Sequence, residues 1–138
     1  MKIKIQNMYI SPAINLLQGM KLKGKNSRAR SKFVKKLSGA LKELQESQHD
    51  LLVEYSELDA NGEPVIENEK YKLKKGQKGE YTKEFETLSR EEAEIEGGTY
   101  TGHLTDCKKI LDAYDEELSG QDAEVYDVLL DALEEGTK

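Results

Sequence analysis

A chain of 138 residues is long enough to bury roughly two thirds of its unfolded surface, so it needs no covalent staple, and its single cysteine, Cys107, excludes an internal disulfide. Hydrophobic residues make up 36% of it and charged residues 35%, a balance that suits a helical protein with much solvated surface. No apolar run approaches the eighteen residues of a membrane span, and Lys2-Ile3-Lys4-Ile5 alternates too soon for a secretion signal, so the chain reads as soluble and cytoplasmic. The net charge of −6 conceals a division: residues 1–42 hold eleven bases and no acid, and the remaining 96 hold ten bases against 27 acids.

Lys2 to Gln6 alternates polar and β-branched residues, the pattern of a half-buried strand. Ser11-Pro12 reads as a helix cap followed by a first-turn proline, with Ile14, Leu16, Leu17 and Met20 as a short apolar stripe. After the break at Lys23-Gly24-Lys25-Asn26, Ser27 is placed to cap a long helix running to Leu58. Its positions Val34, Leu37, Leu41, Leu44, Gln48, Leu51, Tyr55 and Leu58 step by three and four, a heptad seam. Such a stripe requires cover from another helix of this chain or from a second copy.

Asn61-Gly62 and Pro64 end that helix. Val65-Ile66 and Tyr71-Lys72-Leu73 are strand-like, which predicts a small hairpin, and Lys74 to Gly79 is a polar loop. Tyr81, Phe85 and Leu88 predict an amphipathic turn or two, whereas Glu94-Ile95-Glu96-Gly97-Gly98 fits a strand or a helix end. Leu104, Cys107, Leu111, Tyr114 and Leu118 form a second heptad stripe, interrupted at Ser119-Gly120. Val125, Val128, Leu129, Ala132 and Leu133 mark a terminal helix ending at Gly136. The expected fold is α+β and mainly α, a single domain over residues 1–138: a long heptad-bearing helix packed with C-terminal helices, plus a small antiparallel sheet.

Eight bases fall between positions 21 and 36: Lys21, Lys23, Lys25, Arg28, Arg30, Lys32, Lys35 and Lys36. They are the candidate partner- or polyanion-binding residues, because phosphates are drawn to converging Lys, Arg and backbone N–H groups. The competing expectation is pairing with the base-free acidic stretch from Ile110 to Thr137, within the chain or between copies. Phe33 is the sole aromatic in the run and is expected in the core, so stacking on single-stranded nucleic acid has no support.

Chemical motifs are weak. Gly19 to Lys25 matches the spacing of a phosphate loop, but Asn26 stands where a hydroxyl should hold magnesium and a helix is expected before it. His103 and Cys107 lie one helical turn apart, two ligands where zinc needs three or four, and Cys107 sits on an apolar stripe as a buried thiol would. Carboxylates are too abundant for an acid/base pair to be picked out, and Asp112, Asp115, Glu116 and Asp122 lack calcium-loop spacing. No catalytic residue, cofactor or metal site is expected.

The strand at Lys2 to Gln6, the stretch Gly19 to Phe33 and the Glu-rich helix after it resemble a family of small uncharacterised proteins encoded by bacteriophages and prophages of Gram-positive bacteria. The resemblance implies a phage origin and synthesis in the host cytoplasm, and carries no activity or catalytic residue with it. The resulting expectation is a non-enzymatic phage accessory or assembly protein acting through protein contacts as a homo-oligomer or with a phage protein. The alternative is a nucleic-acid-binding or regulatory protein using residues 21–36.

Overall fold

The computed structural model describes residues 2–97 and 102–137. The fold is α+β and mainly helical, with the long helix packed against C-terminal helices and a small antiparallel sheet. The chain forms two compact units, Met1–Leu41 with Glu92–Lys138, and Lys42–Glu91.

In the first unit, strand β1 (Lys2–Gln6) pairs antiparallel with β4 (Glu92–Glu96), Ile3 opposite Ile95 and Lys4 opposite Glu94. Alternation puts Ile3, Ile5 and Ile95 into the core. The other face is charged, with the Lys2 ammonium 3.7 Å from Glu96 and 3.9 Å from Glu94. This pairing decides the ambiguous Glu94-Ile95-Glu96 segment as strand; Gly98, at its end, lies outside the described residues.

A 3-10 turn at Asn7–Tyr9 leads into α1 (Ile10–Gln18). The expected Ser11 cap is therefore displaced: Tyr9 precedes the helix and Pro12 is its third residue, where its missing N–H is one that no helical carbonyl would have received. Helix α2 (Gly24–Tyr55) starts three residues before Ser27, Gly24 taking φ +54 at the entry, and stops short of Leu58. Its buried positions in this unit are Ala29, Phe33 and Leu37, with Val34 and Leu41 half-buried. The seam positions Val34, Leu37 and Leu41 are thus covered, and Ala29 and Phe33 widen the buried face beyond a two-position stripe, as a globular core requires.

Helix α4 (His103–Ala113) buries Leu104, Cys107 and Leu111, but it ends before Tyr114 and Leu118, so its stripe is shorter than the spacing suggests. Tyr126 of α5 (Gly120–Gly136) donates its hydroxyl to the Leu111 carbonyl near the α4 terminus, and its ring lies 6.4 Å from Tyr114. Val125, Leu129 and Leu133 of α5 complete the core, and the helix packs on β1, α1 and α4.

The second unit contains residues 42–55 of α2, a hairpin of β2 (Ile66–Glu67) and β3 (Lys70–Tyr71), and α3 (Lys78–Arg90). Asp59 Oδ1 accepts the Asn61 and Glu63 N–H groups at 2.8 and 3.1 Å, fixing the turn after α2. Three extended segments then close a ring of backbone bonds: Glu57 N–H to Lys72 O, Lys72 N–H to Val65 O, and Val65 N–H to Glu57 O, each 2.8 to 2.9 Å. Asn68 and Glu69, at φ +53 and +65, form the type I′ turn of the hairpin. Tyr81 meets Tyr55 edge-on at 6.2 Å between ring centres and Phe85 at a tilt at 6.0 Å. Among the described residues of this unit, Leu44 is the one buried hydrophobic side chain.

Candidate interaction surfaces

The eight bases of the Lys21 to Lys36 segment separate into three groups. Lys25, Arg28, Lys32, Lys35 and Lys36 advance by three, four, three and one, which at 3.6 residues per turn sets them along one flank of α2, beside the buried Ala29, Phe33 and Leu37. Lys25, Arg28, Lys35 and Lys36 are exposed and Lys32 is half-buried. Lys25 lies 3.7 Å from Asp106 of α4.

Arg30 points elsewhere. Its Nη1 donates to the Leu17 and Met20 carbonyls, both at 2.8 Å, so its charge completes the C-terminal end of α1, where the helix dipole favours a cation. Lys21 and Lys23 belong to the connection between α1 and α2. Lys21 lines a cleft of about 310 Å³ with Gly19, Leu22, Asn26, Asp115 and Glu116. The loop that matched phosphate-loop spacing thus follows a helix instead of a strand and faces two carboxylates, an arrangement that disfavours phosphate.

The acidic stretch is likewise organised by its helix. Glu124, Asp127, Asp131, Glu134 and Glu135 are exposed and occupy the side of α5 opposite Val125, Leu129 and Leu133. Glu124 accepts the Tyr9 hydroxyl at 2.9 Å, which raises the Tyr9 phenol above its ordinary range. Asp112 pairs with Lys108 one turn earlier on α4, at 2.9 Å. The three-four spacing of the α5 acids marks the stripe within the acidic stretch.

His103 and Cys107 are core groups that join α4 to α2. His103 Nε2 lies 3.1 Å and Cys107 Sγ 3.8 Å from the Ala29 carbonyl oxygen, which accepts from both, and the Phe33 ring meets His103 edge-on at 6.4 Å. Burial first, and the Asp106 carboxylate second, push the Cys107 thiol up to about 12. It therefore stays protonated and is a poor nucleophile at neutral pH. Among the described residues no three His, Cys, Asp or Glu side chains are grouped to hold a metal ion, and no helix is long and apolar enough to cross a membrane.

The second unit exposes apolar groups. Ile66 and Tyr71, cross-strand partners in the hairpin, are 63% and 48% exposed, and Leu58 and Phe85 are 43% and 38% exposed. A groove of about 250 Å³ between residues 47–54 of α2 and α3 is edged by Asp50, Glu54, Glu84 and Glu91 around Leu51 and Leu88. Desolvation, followed by the charges of Glu54, Glu84 and Glu80, raises the neighbouring Tyr55 phenol. The spacing of Ile66, Tyr71 and Phe85 marks a hairpin and an amphipathic turn, but periodicity does not show that these side chains stay exposed.

Residues 1–138 match the family described as protein of unknown function (DUF1617), and the chain belongs to that family. No curated protein and no solved structure matches it.

Proposed function

We propose that this DUF1617 protein is a non-enzymatic accessory or assembly protein of a bacteriophage or prophage of a Gram-positive host, made in the host cytoplasm and acting through protein contacts. The observation that carries this reading is the exposed Ile66/Tyr71 rung, in a unit whose apolar side chains are mostly half-covered or exposed. Fully burying side chains of this size contributes about 1.5–3 kcal/mol each, so a partner covering the rung gains a central anchor of the kind found in protein interfaces. Leu58 and Phe85 extend the apolar supply, and the acid-edged groove favours a partner with basic residues at its margin.

The test is proximity cross-linking in phage-producing cells, comparing the wild type with an I66K/Y71K variant. One phage-encoded partner captured by the wild type and lost by the variant, with an unchanged circular dichroism spectrum, supports the reading. Identical capture by both removes it. Neighbouring genes for tail, lysis or replication functions would assign the stage.

A second reading, nucleic-acid binding through residues 21–36, draws on the exposed Arg28, Lys35 and Lys36 on one flank of α2. It requires binding whose logarithm falls against log salt with a slope of about 0.9 per phosphate contacted. An R28Q/K35Q/K36Q variant should flatten that slope; absence of any DNA or RNA shift at low salt eliminates the reading.

A further inference from the structure

The basic positions of α2 are 25, 28, 32, 35 and 36, and the acidic positions of α5 are 124, 127, 131, 134 and 135. The two sets have the same spacing: three, four, three, one. Each stripe therefore climbs its helix with the same pitch over eleven residue steps, about 16 Å at 1.5 Å per residue. Neither is diluted: α2 carries no acid before Glu43, and α5 carries no base from Gly120 to Gly136.

Within the first unit the acidic stripe lies on the side of α5 away from its core face, and α5 packs on β1, α1 and α4. The ion pair formed by Lys25 uses Asp106 of α4. Lys2 and Lys4 of β1 reach the groove beside Asp131 and Glu135, and the Lys2 ammonium is shared between Glu94 and Glu96.

We propose that a second copy of this chain docks here, the Lys25 to Lys36 stripe of α2 in one copy lying along the Glu124 to Glu135 stripe of α5 in the other. Each copy has one stripe of each sign, so a two-fold axis matches both pairs at once and closes the assembly as a dimer. A polyanion would cover the basic stripe alone and would meet a chain of net charge −6. Helices whose contact residues step by three and four cross at a shallow angle, which lets several charge pairs form along the contact. Each exposed pair contributes little by itself, so this contact gives orientation and fast association, and it weakens with salt. It uses none of the residues of the Ile66/Tyr71 rung, and either contact can fail without the other.

Sedimentation velocity of the full chain tests it. The wild type should be dimeric near 20 mM salt, where the Debye length is about 20 Å, and monomeric near 0.3 M, where it is about 6 Å. The reversals R28E/K35E/K36E and D127K/D131K/E134K, all at exposed positions, should each abolish the dimer while leaving circular dichroism unchanged. An equimolar mixture should restore a dimer containing one of each, since both contacts are then complementary. A wild type monomeric at every salt concentration, a dimer that survives either reversal, or variants that do not associate when mixed would each overturn the proposal. So would a monomer that binds a short DNA duplex through the residues reversed in R28E/K35E/K36E.

Discussion

Gly136 ends α5 directly against Ile3 of β1: a Cβ at Gly136 would stand 2.5 Å from both the Ile3 Cγ2 and the Lys2 carbonyl oxygen. The last turn of α5 approaches the strand too closely for any side chain, and one of the obstructing atoms is backbone. Gly136→Ala should therefore destabilise the fold by about 1–3 kcal/mol, the usual cost of overpacking. Gly39→Ala, in α2 with open space around it, should stabilise by about 0.5–1 kcal/mol from helix propensity alone. Urea denaturation of both variants checks the pair, and equal effects at the two sites would refute the close approach.

Arg30 and Arg28 differ by two positions and should differ greatly in stability. Arg30 donates to the carbonyls of Leu17 and Met20, and hydrogen bonds from charged groups contribute about 1.5–3 kcal/mol each. Arg30→Ala should cost about 2–3 kcal/mol by denaturant titration, given partial relief by water. Arg28→Ala, exposed on the outer flank, should stay within about 0.5 kcal/mol of wild type.

Cys107 should be silent in the native protein. With its thiol pushed up to about 12, labelling at pH 8 should proceed only through opened molecules, while denatured protein reacts at once. A stoichiometric burst on the native chain would contradict its burial. The sign of the linkage is equally definite. The folded value lies above the unfolded one, so the contribution is fully present below the unfolded value, near 9, and is lost as pH rises toward about 12. The stability difference between wild type and Cys107→Ala should shrink across that window and be constant below it.

Glu69 takes φ +65 in the hairpin turn beside Asn68 at +53. A side chain in the left-handed region costs roughly 1–2 kcal/mol, and Gly removes that cost while adding freedom to the unfolded chain. Glu69→Gly, which makes the Asn-Gly pair favoured in type I′ turns, should gain about 0.5 kcal/mol. Hydrogen exchange of the Val65 and Lys72 amides should slow accordingly; faster exchange would count against the turn geometry.

Local pattern carried much of this fold. The alternation of Lys2 to Gln6 was enough for β1, because a strand's period of two is written in consecutive residues. Val125, Leu129 and Leu133 likewise mark the face of α5 that is buried. Errors came at ends and partners. Ser11 and Ser27 look like caps, yet neither helix starts from them, because the 3-10 turn at Asn7–Tyr9 and the left-handed Gly24 set the entries instead. The seam from Val34 holds as buried or half-buried positions to Tyr55, but its last member, Leu58, lies beyond the helix and bridges to Pro64.

For the candidate surfaces, the sequence by itself determined the charge blocks and the single cysteine, since these are sums over residues that no folding can alter. Only tertiary structure decided that Arg30 serves the end of α1, that Cys107 and His103 share the Ala29 carbonyl, and that Ile66 and Tyr71 stand exposed as a pair. The reason is physical. Periodicity tells which side of an element is apolar, but whether a charge or an apolar group meets water or another chain segment depends on contacts between residues far apart in sequence.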